Sequence, residues 1–359
     1  MVESLSSVAA AAVVRTHLDE LTGPLGIYQH ARAASPNLGQ GYCTDDVARA
    51  VIVDVLHGRV LGRAAVADTL ARSLQFLAEA VVPASRRFRN FRDSDGNWLE
   101  QVGSADAHAR GVQALGVVIG DHPDGHPAAQ QLLVEVLPVC LGLDGLRPWA
   151  HVLLGCDAAL AGDRPPDGAL VVLAEMARRL VSAFGRTDPT WPWPEAEVTY
   201  ESAILGHALV AAGRRLGDPA MAQLGLATLE WLIQAQVSRE GHVDLIGNRG
   251  WWPRGAAPAR FDQQPIDAAA LVEACSAAWT ATGERRWLVE MRRAYGWFLG
   301  ANAVGIAVAD PERGGCCDGL SPIGVNANQG AESTLAWLTA TEVVRATLSQ
   351  PGARAGWPE

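Results

Sequence analysis

One phrase recurs along this 359-residue chain: a polar stretch carrying a carboxylate, followed at once by small apolar residues at helical spacing. It stands first at Gly41–Ala50 (GYCTDDVARA), then at Ser104–Arg110 (SADAHAR), Thr199–Ala203 (TYESA), Gln264–Ala269 (QPIDAA) and Asn328–Thr334 (NQGAEST). Each reads as a helix N-terminus, because Thr, Ser or Asn can cap free amides and an acid is favoured in the first turn. Recurrence at a spacing longer than the usual repeat modules implies one architectural unit used about six times.

Helical periodicity covers most of the chain and strand-like alternation is nearly absent. The pattern predicts helices over 7–21, 44–58, 63–82, 104–119, 126–141, 147–161, 167–184, 199–215, 218–236, 265–281, 285–300 and 328–347. They alternate between two classes. Helices such as 63–82 are amphipathic, with Val66, Leu70, Leu74 and Leu77 on one face and Asp68, Arg72, Gln75 and Glu79 on the other. Helices such as 104–119 and 265–281 are apolar nearly all round, so they must be enclosed by protein. An inner ring wrapped by an outer one satisfies both.

Segments leaving an inner helix are short (59–62, 216–217, 282–284), whereas most of those entering one are long (22–43, 83–103, 185–198, 237–264, 301–327). If the inner helices run parallel, the long loops gather on the face where those helices begin. Loops of this length without secondary structure of their own are usually functional or disordered. These are rich in Trp, Arg, Asp and Gly, which favours a built site.

The alternation resembles the (α/α)6 toroid of the six-hairpin glycosidase superfamily. The phrases GYCTDDVARA, FRNFRDSDGNWLEQVGSADAHAR, WPWPEAEVTYESAILGHAL, FDQQPIDAAALVEA and GGCCDGLSPIGVNANQGAESTLAWL resemble, in order, a group of bacterial carbohydrate-active proteins with that fold. One departure is Val47, where that group's TDDNAR pattern has Asn. The resemblance implies an all-α (α/α)6 barrel over residues 1–350, with 351–359 as a C-terminal tail, and a saccharide as ligand.

On such a barrel Asp45, Asp46, Asp106, Glu201, Asp267 and Glu332 converge on one funnel, while the remaining inner helix offers Trp149 and His151. Glycoside hydrolysis needs two carboxyl groups, one protonated and one ionised. The expected pair is drawn from Asp46, Asp106, Glu201 and Glu332. A helix N-terminus lowers a carboxyl pKa, so the acid should be the one desolvated or crowded by another carboxylate, as Asp45 and Asp46 can crowd each other. Loop carboxylates Glu100, Glu195, Asp262 and Asp318 are less constrained alternatives.

Twelve tryptophans against four tyrosines and six phenylalanines is a skewed set, and Trp98, Trp191, Trp193, Trp251 and Trp252 all lie in entering loops. They either cover the core or stack on sugar rings, where an indole face meets C–H groups and its N–H still donates. Candidate substrate contacts are Asp45, Trp98, Arg110, Trp149, Trp193, Tyr200, Trp252, Asp262, Gln263, Gln264, Asp267, Asp318, Asn328 and Gln329. Arg89 and Arg92, within the basic run Arg86–Arg92, are candidates for a phosphate or carboxylate, which would turn hydrolysis into phosphorolysis. His108, His151 and His207 lie in inner helices. They are core residues or, in the manner of the sugar 2-epimerases that this layout also resembles, a proton-moving pair. A saccharide-binding subunit without turnover is the non-enzymatic alternative.

The net charge of −10 makes nucleic acid and anionic membranes unexpected partners, and no apolar run is long enough to span a bilayer. The N-terminus lacks a basic region before its alanine-rich stretch and reads as a helix start. Six scattered cysteines without CxxC spacing suggest packed, reduced thiols and a cytoplasmic protein, and zinc at Cys316-Cys317-Asp318 is disfavoured. No P-loop or dinucleotide fingerprint is present, so neither cofactor nor metal is expected.

Overall fold

A computed structural model describes residues 12–122 and 126–357. The start of the helix expected over 7–21 lies outside the described residues, whose first helix is α1 (Thr16–Leu21). Beyond it run α2 (Thr44–Leu61), α3 (Ala67–Ala80), α4 (Ala105–Asp121), α5 (Pro127–Val136), α6 (Leu146–Ala159) and α7 (Ala169–Phe184). They are followed by α8 (Ala203–Leu216), α9 (Pro219–Gln236), α10 (Pro265–Thr282), α11 (Arg285–Phe298), α12 (Ala331–Leu348) and α13 (Ala353–Gly356). Helices α2, α4, α6, α8, α10 and α12 each pack on the next, and α12 packs back on α2, which closes the inner ring. The fold is an all-α (α/α)6 toroid.

The inner helices bury nearly every face: 11 buried residues are found on α10 and 13 on α12. Outer helices such as α3 and α7 bury one stripe, Leu70, Leu74 and Leu77 in the first and Val172, Leu173, Met176 and Leu180 in the second. Small residues set the ring's tightness. A Cβ on Gly116 would lie 1.9 Å from the Gly155 carbonyl oxygen, and one on Gly120 would lie 2.2 Å from that of Ala158. Both contacts advance in the same direction along the two helices, so α4 and α6 run parallel. Exits from α8 and α10 are abrupt because Gly217 and Gly283 take φ of 67° and 68°, a left-handed turn open to glycine.

The long entering segments are folded. Among the described residues they carry most of twelve strands of two or three residues, paired antiparallel in six two-stranded ladders. Period-two alternation cannot register in pieces this short. One ladder joins Tyr42–Cys43 to Phe91–Arg92, tying the segment before α2 to the one before α4. The stretch expected as a tail packs over 353–357, with Ala353 and Trp357 buried and α13 against α11 and α12. No helix among the described residues is long and apolar enough to cross a membrane.

Candidate active site

Capping is not what the helix-start acids do. Of the five recurrent phrases, only Ser104 caps its helix, accepting from the Ala107 amide at 3.0 Å. Thr44 instead donates its hydroxyl to the Arg89 carbonyl, and α10 and α12 begin without a side-chain cap. The helix expected from residue 199 begins at Ala203. Glu201 precedes it with a φ of 49°, a left-handed conformation that costs a non-glycine residue about 1–3 kcal/mol. What holds it there is polar: its amide donates to Asp267 Oδ1 at 2.5 Å while its carboxylate binds inward.

The acids are tied to partners across the ring. Arg49 bridges two of them, donating to Asp46 Oδ1 at 2.8 Å and to Glu332 Oε2 at 2.7 Å. Arg110 forms a buried fork with Glu201, and its Nε stands 3.8 Å from Asp45. Tyr200 donates its hydroxyl to Asp106 Oδ2 at 2.6 Å. Asn90 donates to Asp45 Oδ2 at 3.0 Å. His151, buried on α6, lies with Nε2 3.2 Å from Glu201 and Nδ1 2.6 Å from Gln113.

Above these ties opens a cavity of about 510 Å3 at the start of the inner helices. Asp45, Asp46, Asp106, Asp318 and Glu332 line it, with Arg49, Arg110, Tyr200 and Gln264. Beneath it a hollow of about 60 Å3 shares Arg49 and Arg110 with the cavity and is lined by Glu201, His207 and Glu273. The two guanidinium groups therefore form the floor between them.

Environment separates the carboxyl groups. Burial pushes Asp46 up to about 6, against the pull of Arg49 and with help from Glu332. The Cys43 thiol donates to Asp46 Oδ2 at 3.0 Å and is itself held protonated by burial and by Asp46. Burial raises Asp267 to about 8 and Glu273 to about 7. At Glu201 burial pushes the same way, but Arg110 and then His151 outweigh it and hold the carboxyl far below its ordinary range. Burial, then Arg110, lowers His151, so it stays neutral.

Several expected contacts lie elsewhere. Trp98 packs on Phe76 at 5.2 Å under the guanidinium groups of Arg89 and Arg92, and Arg92 also pairs with Glu79. Arg89 and Arg92 are thus spent on cation–π and ion-pair contacts away from the cavity. Trp193, Trp231 and Trp252 form one stack, with the Trp193 and Trp252 N–H groups bonded to backbone carbonyls. Trp149 donates to the Leu143 carbonyl under Arg179. His108 is a core residue, its Nδ1 accepting from the Phe88 amide and its Nε2 3.2 Å from the Val136 carbonyl. Asp262 pairs with Arg249, and Gln263 is fully buried between Trp297 and Asp244. Among the loop carboxylates only Asp318 reaches the cavity; Glu100 holds the Asn90 and Phe91 amides and Glu195 holds Arg147.

Asn328 and Gln329 position the wall without lining it. Asn328 Oδ1 accepts from the Ala33 amide, and the Gln329 amide donates to the Ala33 carbonyl, which brings Gln29 and His30 onto the cavity. Those two were missing from the expected set, as were Arg49, Cys43 and Ser333. Arg49 carried a signal, since a basic residue three and four positions after Asp46 and Asp45 shares their helical face. So did Glu273, an acid midway along an inner helix whose neighbouring positions are apolar. His30 carried none, because a fold-back of its loop places it. Trp251, one of the loop indoles, does line the cavity, 6.5 Å from the Tyr200 ring.

No protein-family model matches the chain, and no curated protein matches it in sequence. Solved structures match it in shape. A cellobiose 2-epimerase from Spirochaeta thermophila superposes with a TM-score of 0.70 at 13% identity over 96% of this chain and 97% of that one. A sugar epimerase from a ruminal bacterium gives 0.73 at 9% identity over 95% and 99%. An inactive variant of an α-1,6-mannanase of Salegentibacter sp., in complex with α-1,6-mannotetrose, gives 0.57 at 9% identity over 95% and 98%. At these identities the likeness shows the fold alone: the chain is similar to six-hairpin toroids that act on sugars.

Proposed function

We propose that the chain is a carbohydrate-active enzyme, a glycoside hydrolase that works with paired carboxyl groups and needs no cofactor. The observation that carries the reading is the division of labour among the acids over one sugar-sized cavity. Asp46 is buried, pushed up to about 6 and so able to hold a proton to give to a leaving oxygen. Asp106, on the neighbouring inner helix, is oriented by the Tyr200 hydroxyl and leaves Oδ1 without a protein partner. It is the candidate base or nucleophile. Glu332, shared through Arg49, holds Asp46 in place and adds to the burial that keeps its pKa raised. Glu201 leaves the catalytic pair, because its ion pair with Arg110 and the raised backbone cost make it a positioning residue. The mannanase neighbour is inactive with two consecutive aspartates replaced by alanine, and Asp45 and Asp46 are likewise consecutive. The ligand is an oligosaccharide or a sugar-containing small molecule, for which Trp251 offers a stacking face.

The test is a panel of oligosaccharides read out by released reducing sugar. Asp46→Asn and Asp106→Asn are expected to lose at least about a hundredfold in rate, the scale of general acid–base catalysis, with an unchanged fold. Full activity in both would remove them from the mechanism.

Epimerisation at a sugar carbon is the second reading, favoured by the higher TM-scores to epimerases, 0.70 and 0.73 against 0.57 for the mannanase. The histidines bear on it unevenly: His30 lines the cavity, whereas His151 is engaged on both nitrogens and His207 lines only the lower hollow. Deuterium entering a reducing sugar from heavy water, without cleavage, would decide for it.

A further inference from the structure

The charges around the cavity bear on which saccharides it can accept and on what completes the reaction. Five carboxyl side chains face it, and only two guanidinium groups do. Both cations are already committed, Arg49 to Asp46 and Glu332, Arg110 to Glu201. Helix N-termini commonly bind anions through free amides, but here at least one amide at or just before four of those starts is taken by the protein. Thr44 donates its amide to the Asn90 carbonyl, Ala107 to Ser104, Glu201 to Asp267, Gly330 to Asp318 and Ala331 to the Gln29 carbonyl. Arg89 and Arg92, the residues of the basic run expected to meet a phosphate, are packed on Trp98, with Arg92 paired to Glu79, and neither lines the cavity.

What the cavity does offer is acceptors. Asp45 Oδ1 and Asp106 Oδ1 are buried and have no hydrogen-bond partner, a costly state for a carboxylate that a donor from the ligand would relieve. Sugar hydroxyls are such donors. A sugar phosphate or a uronate would bring a second acceptor, and a negative charge, against a wall of five carboxyl side chains whose two guanidinium groups are already paired. His30 is the one other basic side chain among the described residues that line it.

Resting on the hydrolase reading above, we infer that this cavity takes a saccharide whose bound ring carries no anionic group, and that water, not phosphate, accepts the cleaved glycosyl unit. In that step the C1–O bond to the leaving group breaks and a C1–O bond to water forms. The leaving oxygen takes the proton from Asp46, and the carboxylate of Asp106 either removes one proton from the attacking water directly or first bonds to C1 and is then displaced by a water that returns its proton to Asp46. No phosphate enters the balance.

The experiment uses the full chain and binding as its first readout. Methyl gluco- and mannopyranosides, their 6-phosphates, their uronates and glucosamine are titrated by calorimetry at 20 and 150 mM salt. At least one neutral parent or glucosamine is expected to bind, with each anionic analogue about tenfold weaker or worse and the gap narrowing as salt screens it. In an Asp45→Asn/Asp318→Asn variant the penalty on the anionic analogues should shrink severalfold. Inorganic phosphate should neither bind nor speed cleavage of any oligosaccharide found to be turned over. An anionic analogue binding as tightly as its parent, or sugar 1-phosphate among the products, overturns the inference. Selective binding of neutral sugars without any cleavage would leave the charge selection standing and sink the hydrolase reading with its water step. No binding by any probe would sink the saccharide site itself.

Discussion

The fork between Arg110 and Glu201 is the floor of the site, and its loss can be sized from its burial. Arg110 is 6% exposed and Glu201 7%, with a second contact at 3.3 Å between Nη1 and Oε1. Removing one partner of a buried pair leaves the other charge uncompensated, at about 3–5 kcal/mol. For 359 residues the unfolding entropy is roughly 0.75 kcal/mol/K, so either Arg110→Met or Glu201→Gln should lower Tm by roughly 4–7 °C. The double variant should lose far less than the sum, because no charge is stranded. The two single variants should also differ with pH. In Arg110→Met the His151 ring, 3.2 Å from the Glu201 carboxylate, is still held down by burial but is released from the guanidinium that lowers its pKa further. It can then protonate and replace the lost partner. The Arg110→Met penalty should therefore be smaller at pH 5.5 than at pH 8, while that of Glu201→Gln should show no such relief. Calorimetric melts of the four proteins at the two pH values check this. Single losses below about 1 °C, or a double loss equal to the sum, would refute the view that this pair is desolvated and reciprocal.

Three further outcomes are expected. If Asp46 is the general acid, the wild-type rate should fall as pH rises through about 6, and Asp46→Asn should leave a small residual rate without that limb. A rate still rising above pH 7 would contradict the assignment. Asp267 is an acid whose folded pKa, about 8, lies above its unfolded value, so the folded state holds the proton longer and stability falls as pH rises from about 4 to 8. Asp267→Asn keeps an oxygen for the Glu201 amide and should flatten that fall; an unchanged pH profile of Tm would show that Asp267 does not titrate in this window. Gly116→Ala should cost about 1–3 kcal/mol or abolish folding, because its Cβ would meet backbone of α6 at 1.9 Å. Gly142→Ala, with nothing within 4 Å, is the neutral control in the same melting assay.

The barrel was legible because burial on all sides leaves a periodic record. Helix α10 is apolar around its circumference and could only be interior, while α3 shows one stripe and could only be exterior. The position of the cavity was legible too, since parallel inner helices must put their starts on one face. The division of aromatic side chains was not. Trp193 and Trp251 stand in loops of similar composition, yet the first is buried in a stack with Trp231 and the second lines the cavity. Which indole does which depends on loop paths set by short ladders, such as Glu197–Val198 with Trp252–Pro253, whose register no local pattern announces. The same holds for His30, delivered by bonds between Ala33 and residues 328 and 329.

The acids themselves were found for a reason that proved incomplete. An acid at a helix start suggests a local partner, the amides of its own first turn. Here the partners are remote: Asp106 and Tyr200 are 94 residues apart, Glu201 and Arg110 are 91, and Arg49 and Glu332 are 283. Each tie joins one hairpin of the ring to another, so the residues that line the site also hold the ring's mouth at a fixed width. Site and scaffold are then the same set of contacts, and loss of activity in Glu201→Gln or Arg110→Met says little about chemistry unless the melt is recorded beside it. Asp46 and Asp106 escape that ambiguity better. Asparagine can still accept from Arg49 or Tyr200, so the ties persist in amide form while the proton chemistry is gone. A large fall in rate with an unmoved Tm at those two positions, beside a fall in both at Glu201, is the pattern that would separate the groups that react from the groups that hold them.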